Sequence, residues 1–397
     1  AWLGADALVS RWTAGALAAT HLLVTGFMLQ SMCGALLQFV PVAAGGNVWR
    51  PKVLAAIVHP LLVVAALLLS SAFLTSTPVL FRAAAYVFTV ALGTYVVVVG
   101  LALARTPARG PSLLALRLAI FGLAVTAVLG VTLALSLGDG RNLPLVEITQ
   151  VHAAWGLGGW ALMLVMGVSY FVVPMFQLTP PYPARLAWAL PPGMILVLVL
   201  WSSQLNGVVA VWQKAVLFAG ILLAALYAAV TLVLQGRRRR KVTDPTLLFF
   251  RGAMGCLLLI AASNLWFVFD TDVGTDPRAI VWLGLLAIPG VFVSVISGML
   301  YKIMPFLNWL HLQRIGGLGV APPNMREMIA ETAMLGQMRL HFAGLALLLL
   351  SVPLPALMRP AGLMFAASCA WLGVNLAGGV RAYLRFKGRI LASAACP

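Results

Sequence analysis

Eleven stretches of this chain are apolar for long enough to cross the ~30 Å hydrocarbon layer of a bilayer as helices. They lie near residues 13–43, 53–75, 78–104, 112–137, 148–176, 186–204, 208–235, 246–269, 279–306, 335–357 and 360–382. With 62% of its 397 residues hydrophobic and 9% charged, the chain keeps too little polar surface to face water. The expected fold is an all-α polytopic membrane protein, one transmembrane domain of 11 helices over 1–397.

The formal net charge of +17 would suit a nucleic-acid partner, but the positions of the charges argue for topology instead. Basic residues follow the odd-numbered spans: Arg50 and Lys52, Arg105 and Arg109, Arg185, the run Arg237 to Lys241, Arg314 and Arg326, then Arg381, Arg385, Lys387 and Arg389. The even-numbered connections are short or acidic, as in Asp270, Asp272 and Asp276, with Arg141 and Arg278 as minor exceptions. The positive-inside rule then puts residue 1 outside and the C-terminus in the cytoplasm. A bacterial inner membrane is the expected home, with the lipid bilayer as the main partner and no nucleic acid. Anionic lipid is the other target the basic run admits.

Three of the spans carry a Gly and a Pro seven residues apart near one end: Gly34 to Pro41 (GALLQFVP), Gly167 to Pro174 (GVSYFVVP) and Gly298 to Pro305 (GMLYKIMP). Roughly two such pairs would arise by chance in this composition, so the signal is the spacing, with the glycines 133 and 131 residues apart. Three tandem units follow, roughly 1–137, 138–269 and 270–382, with a basic cytoplasmic tail over 383–397. Without an initiating Met, and with residue 1 outside, a preceding helix would complete twelve helices in three units of four. A removed signal segment explains the same start equally well. In each repeat helix the Gly permits close approach of a neighbour, and the Pro is expected to end or kink the helix.

Ionisable side chains in hydrocarbon are costly and persist where they meet a partner, a cavity or a cofactor. His21 and His152 lie in the outer halves of spans one and five, which are repeat equivalents. His59 and His341 lie in the inner halves of the helices that follow a Gly-to-Pro helix, and His311 falls in a cytoplasmic loop. Two neutral imidazoles facing across a bundle form an axial pair for a haem iron, and glycines beside them leave space for a flat macrocycle. Gly26 follows His21; Gly156, Gly158 and Gly159 follow His152 among Trp155 and Trp160. The alternative for each imidazole is a bond to a neighbouring carbonyl. For His59 and His341 a second cofactor competes with structural roles, His59 preceding Pro60 at a helix start. Glu147, Lys302 and Arg339 read as interfacial or snorkelling charges. The Cys residues at 33, 256, 369 and 396 show no metal or disulfide spacing and read as small apolar side chains.

The segment HAAWGLGGWALMLVMGVSYFVVPMF, from His152 to Phe176, resembles the ligand-bearing helix of the haem-copper oxidase catalytic subunit, most closely the cbb3-type enzymes. On that resemblance His152 falls on the first His of an HxH pair, a haem ligand, and Ala154 replaces the second. HLLVTGFMLQSMCGALLQFVP, from His21 to Pro41, looks like the equivalent helix of the NnrS nitric-oxide-response proteins and like the oxidase helix with the low-spin haem ligand, which falls on His21. The resemblance implies twelve helices in pseudo-threefold arrangement. It also implies haem b held as metal ligand by His21 and His152, a role in electron transfer or nitric oxide and oxygen chemistry, and a cytochrome or quinone redox partner. The chain departs from the family in lacking an HPEVY-like segment and an adjacent His pair, and Leu283 and Leu285 stand where the other helices place His. Copper is therefore not favoured, and terminal oxidase activity is not expected. A transporter or assembly factor handling metal or protons, or a non-catalytic membrane subunit, is the competing expectation.

Overall fold

The structure, a computed structural model, describes residues 8–43, 45–206, 210–239, 242, 244–269, 276–316 and 324–395. Residue 1, Arg240, Lys241, Asp270, Asp272 and Cys396 lie outside the described residues. Among the described residues all regular structure is helical, and 11 helices are long and apolar enough to span a membrane. They are α1 (Ala14–Val42), α2 (Pro51–Thr75), α3 (Pro78–Ala104), α4 (Pro111–Asp139), α5 (Leu145–Gln177), α6 (Ala184–Leu205), α7 (Trp212–Gly236), α8 (Pro245–Phe267), α9 (Pro277–Ile315), α10 (Glu331–Ser351) and α11 (Pro355–Ala392). In hydrocarbon a helix is favoured because it satisfies its own backbone groups.

Local sequence fixes the helix starts. Pro51, Pro78, Pro111 and Pro277 each stand in a first turn, where a missing N–H costs nothing. The Thr13 hydroxyl accepts from the Ala16 N–H to cap α1, and Asp276 accepts from Arg278 to cap α9.

The chain divides into two compact units. The larger comprises Ser10–Lys241 with Leu257–Thr275, and the smaller Val242–Cys256 and Asp276–Pro397 with Ala1–Val9. Within the larger unit, α3 packs between α2 and α4, α1 lies on α2, α4 lies on α5 and α6, and α7 on α6. Its connections collect at two ends. The Arg239 N–H donates to the Leu178 carbonyl at 2.9 Å, joining the ends of α7 and α5. At the opposite end Arg82 of α3 donates to the Gly138 carbonyl of α4 and lies 3.7 Å from Asp139. In the smaller unit α11 packs on α9 and α10, and Phe249 and Gly252 of α8 meet Gly298 of α9 and Phe342 of α10.

Several boundaries differ from expectation for identifiable reasons. Pro41, Pro174 and Pro305 all sit inside their helices, and α9 continues to Ile315, because one Pro removes a single hydrogen bond and need not stop a helix. His311 is consequently on α9 rather than in a loop; its ring hydrogen-bonds the Tyr383 hydroxyl. Helix α10 stops at Ser351, before Pro353, and α11 runs on through most of what reads as a basic tail.

The repeat glycines do not share one role. A Cβ on Gly298 would lie 2.7 Å from the Phe249 Cβ, and one on Gly167 3.0 Å from the Ala115 Cβ, whereas nothing stands within 4 Å of Gly34. Gly298→Leu is expected to destabilise the fold by about 1–3 kcal/mol or more through overpacking. Gly34→Leu should leave thermal unfolding in detergent nearly unchanged, and a like fall in both variants would contradict this packing.

Candidate functional site

Each of the three repeat helices contains a π-helical segment: Val24–Met28 in α1, Trp155–Leu162 in α5 and Leu286–Val293 in α9. The latter two stand 131 residues apart, matching the glycine spacing. A π turn bonds to i−5 instead of i−4, adding a residue and freeing carbonyls; such segments concentrate at functional sites. His21 and His152 each lie three residues before their π segment, and Leu283 holds that place in α9. Three helices thus share one local distortion, and two of them set an imidazole beside it.

Both imidazoles are half-buried in the larger unit and spend the same nitrogen in the same way. His21 Nδ1 donates to the Leu17 carbonyl of its own helix at 2.8 Å, and His152 Nδ1 donates to the Thr126 carbonyl of α4 at 3.0 Å. Because a carbonyl only accepts, each ring is protonated on Nδ1, and its lone pair sits on Nε2. Among the described residues neither Nε2 has a hydrogen-bonding partner. Nδ1 held by a backbone carbonyl and Nε2 left basic is the arrangement that orients a metal-ligating His.

The walls are apolar and closely fitted. The His21 ring lies 5.0 Å from that of Phe73 on α2, and the Thr25 hydroxyl donates to the His21 carbonyl at 2.6 Å. The His152 ring rests on Gly130 of α4, where a Cβ would come within 2.8 Å of Cε1. Two turns earlier a Cβ on Gly122 would collide with the Gly159 backbone at 2.2 Å, so α4 meets the π segment of α5 main chain to main chain. Trp155 packs edge-on to Phe121 and donates to the Ser202 hydroxyl at 2.9 Å. Among the described residues, buried Gln30 Oε1, Trp160 Nε1 and Trp201 Nε1 have no hydrogen-bond partner, the first two on the helices that carry the histidines.

The other sequence candidates separate. His59 is exposed on α2. His341 is buried in the smaller unit, where Nε2 lies 2.8 Å from the Ser294 hydroxyl, which also reaches the Pro289 carbonyl of the π segment at 3.2 Å. Phe249, Phe342 and Phe365 stand around that ring at 5.2–5.5 Å. Ligation by His341 Nε2 would require giving up the serine. Glu147 lies in the first turn of α5, and Arg339 is exposed on α10. Lys302 pairs with Asp244 at 3.6 Å. Among the described residues no three His, Cys, Asp or Glu side chains gather at one point, and Cys33, Cys256 and Cys369 are free thiols.

Two buried polar ladders were not found from sequence. On α7, Tyr227, Thr231 and Gln235 recur every four residues and meet Ser169, Tyr182 and Gln177, each pair at 2.9 Å. In the smaller unit Tyr301 receives a bond from Asn375 at 2.8 Å and donates to Gln337, which donates to Ser368 at 3.0 Å. The i, i+4, i+8 spacing on α7 was available as a signal, but each partner lies 49 to 58 residues away.

Ser294→Ala is expected to cost about 1–2 kcal/mol by stranding a buried ring nitrogen and a π-segment carbonyl, with Ser294→Thr largely retaining stability. Equal stability of all three forms in detergent unfolding would contradict that assignment. No family model matches the chain, and no curated protein matches it.

Proposed function

We propose that the chain is a membrane haem protein in which His21 and His152 would hold a b-type haem through Nε2. The observation that carries this reading is the matched pair: two rings on repeat-equivalent helices of one compact unit, each with Nδ1 given to a carbonyl and Nε2 left basic. The residues present suit such a group. Phe73 and Trp155 offer apolar walls, Gly130 and the π segments shape the space, and the unpartnered Trp160 and Trp201 indoles are donors for anionic substituents. When bound, haem would supply one-electron chemistry, or a gas-binding position if only one histidine ligates. The chain's own part is to hold both imidazoles in one tautomer, limit water and fix the angle between them through α1, α4 and α5. Chemistry at a binuclear copper centre is not part of the proposal, because the sequence lacks the family's HPEVY-like segment and adjacent His pair.

The charge pattern supports a bacterial inner-membrane location with the basic ends of the helices in the cytoplasm. The histidine site then lies toward the outer face, and a cytochrome or quinone is the fitting redox partner. A second reading, transport of protons or metal, is favoured by the buried ladders of Tyr227, Thr231 and Gln235 and of Tyr301, Gln337 and Asn375, since intramembrane polar runs line pathways.

A pyridine haemochrome assay on purified protein should give haem b at about one per chain, with a split α/β spectrum on reduction. His21→Ala and His152→Ala should each remove the haem or convert it to high spin, while His59→Ala leaves it intact. A colourless wild-type protein with stoichiometric copper would reject the haem in favour of metal handling.

A further inference from the structure

We propose that the basic end of the larger unit carries a binding site for one anionic phospholipid, its phosphate held by Arg50, Lys52, Arg105 and Arg109. The α1–α2 connection folds onto the end of α3. The Gly46 N–H donates to the Val40 carbonyl at 3.2 Å, and a Cβ on Gly46 would lie 2.7 Å from the Thr106 hydroxyl. This contact brings Arg50 and Lys52 beside the segment carrying Arg105 and Arg109, and all four are exposed. Arg117 secures the same corner, donating to the Leu103 carbonyl at 3.1 Å and the Thr106 carbonyl at 3.0 Å. Its guanidinium is thereby spent on the backbone, and the other four cations are left for an outside partner.

Among the described residues of the larger unit, no carboxylate pairs with them. The carboxylates among the described residues of the larger unit are Asp139 and Glu147, both in the connection region at the opposite end, and Asp139 is held by Arg141 at 2.7 Å. Arg50 also sits in the left-handed region at φ 40°, a conformation that L residues rarely adopt, directly before Pro51. Such backbone strain is retained where the surroundings fix a side chain's direction. Here it sets the guanidinium 5.3 Å from the Trp49 ring, which is 65% exposed.

The neighbourhood distinguishes a lipid from a soluble phosphate. An exposed tryptophan beside arginine is the side-chain pair that seats at headgroup depth. Below it, Val53 and Ile57 of α2 are exposed and offer an acyl chain an apolar track. His59 completes the site. It lies two turns beyond Lys52 on the same helix face, is exposed, and makes no hydrogen bond among the described residues. Helical side chains lean toward the helix N-terminus, so the imidazole leans toward the basic end, where the ester carbonyls of a lipid would accept its N–H. An otherwise costly intramembrane histidine gains a partner there.

The test is independent of the haem reading, because it reads lipid retention and unfolding on protein with or without pigment. Purified wild-type protein would be titrated in neutral detergent with phosphatidylglycerol, phosphatidylcholine or inorganic phosphate. Bound lipid would be counted by native mass spectrometry and thermal unfolding followed in parallel. Phosphatidylglycerol should bind and raise the melting temperature, and the other two should not. Each neutralised cation should weaken retention about fivefold, so Arg50→Gln with Arg105→Gln should weaken it more than tenfold, and His59→Phe by a smaller factor. The pair Arg381→Gln with Arg385→Gln, both exposed on α11, controls for loss of general positive charge and should retain the lipid. Each variant's lipid-free melting temperature separates misfolding from lost binding. Equal effects of phosphatidylcholine and phosphatidylglycerol, stabilisation by inorganic phosphate alone, or equal losses in both arginine pairs would overturn the proposal.

Discussion

Hydrocarbon offers a backbone no hydrogen bonds, so a helix that crosses it must satisfy every carbonyl itself or with a neighbour's side chain. The three π segments break that self-sufficiency at corresponding places in α1, α5 and α9. Near them polar side chains bond main-chain carbonyls. Thr25 donates to the His21 carbonyl, Ser294 to the Pro289 carbonyl, and His152 to the Thr126 carbonyl of the helix packed against its π segment. The carbonyls that His21 and His152 meet belong to regular helical turns, Leu17 of α1 and Thr126 of α4. The same bonds fix which ring nitrogen is left over.

That constraint separates histidines that look equivalent in sequence. His21 and His152 meet backbone carbonyls through Nδ1 and retain a basic Nε2, whereas His341 commits Nε2 to Ser294 and is enclosed by three phenylalanines. The α9 copy keeps the distortion but has Leu283 at the place of the histidine. A distortion maintained with and without the histidine belongs to the fold first; the proposed haem site is built on it. The close approach of Gly122 to Gly159 and the seat at Gly130 then fix where the His152 ring can lie.

Much of the architecture was legible because hydrophobic length and Gly/Pro spacing are local. The eleven spans were read from apolar runs, and the 131-residue interval between the second and third Gly-to-Pro motifs recurs in the spacing of their π segments. The π segments themselves carry no residue signature, since Gly-rich WGLGGWAL and LAIPGVFV share only small and apolar character. Pro305 reads as a stop from sequence, but α9 absorbs it and carries His311 into helix. At the site, both histidines make the carbonyl bond that stood as the alternative to ligation, and each does so through Nδ1, which leaves Nε2 for a ligand. The ladder partners and the Ser294–His341 contact come from residues 31 to 74 positions apart, a separation that pattern reading does not bridge.

The central claim is that the Nε2 atoms of His21 and His152 address one shared space that holds a haem. An experimental density map of the protein purified without chelators tests it most directly. The account predicts planar density in contact with Nε2 of at least one ring, with both Nδ1 atoms still on the Leu17 and Thr126 carbonyls. Rings that turn Nε2 onto protein atoms, with only side chains filling the space between α1, α4 and α5, would contradict it.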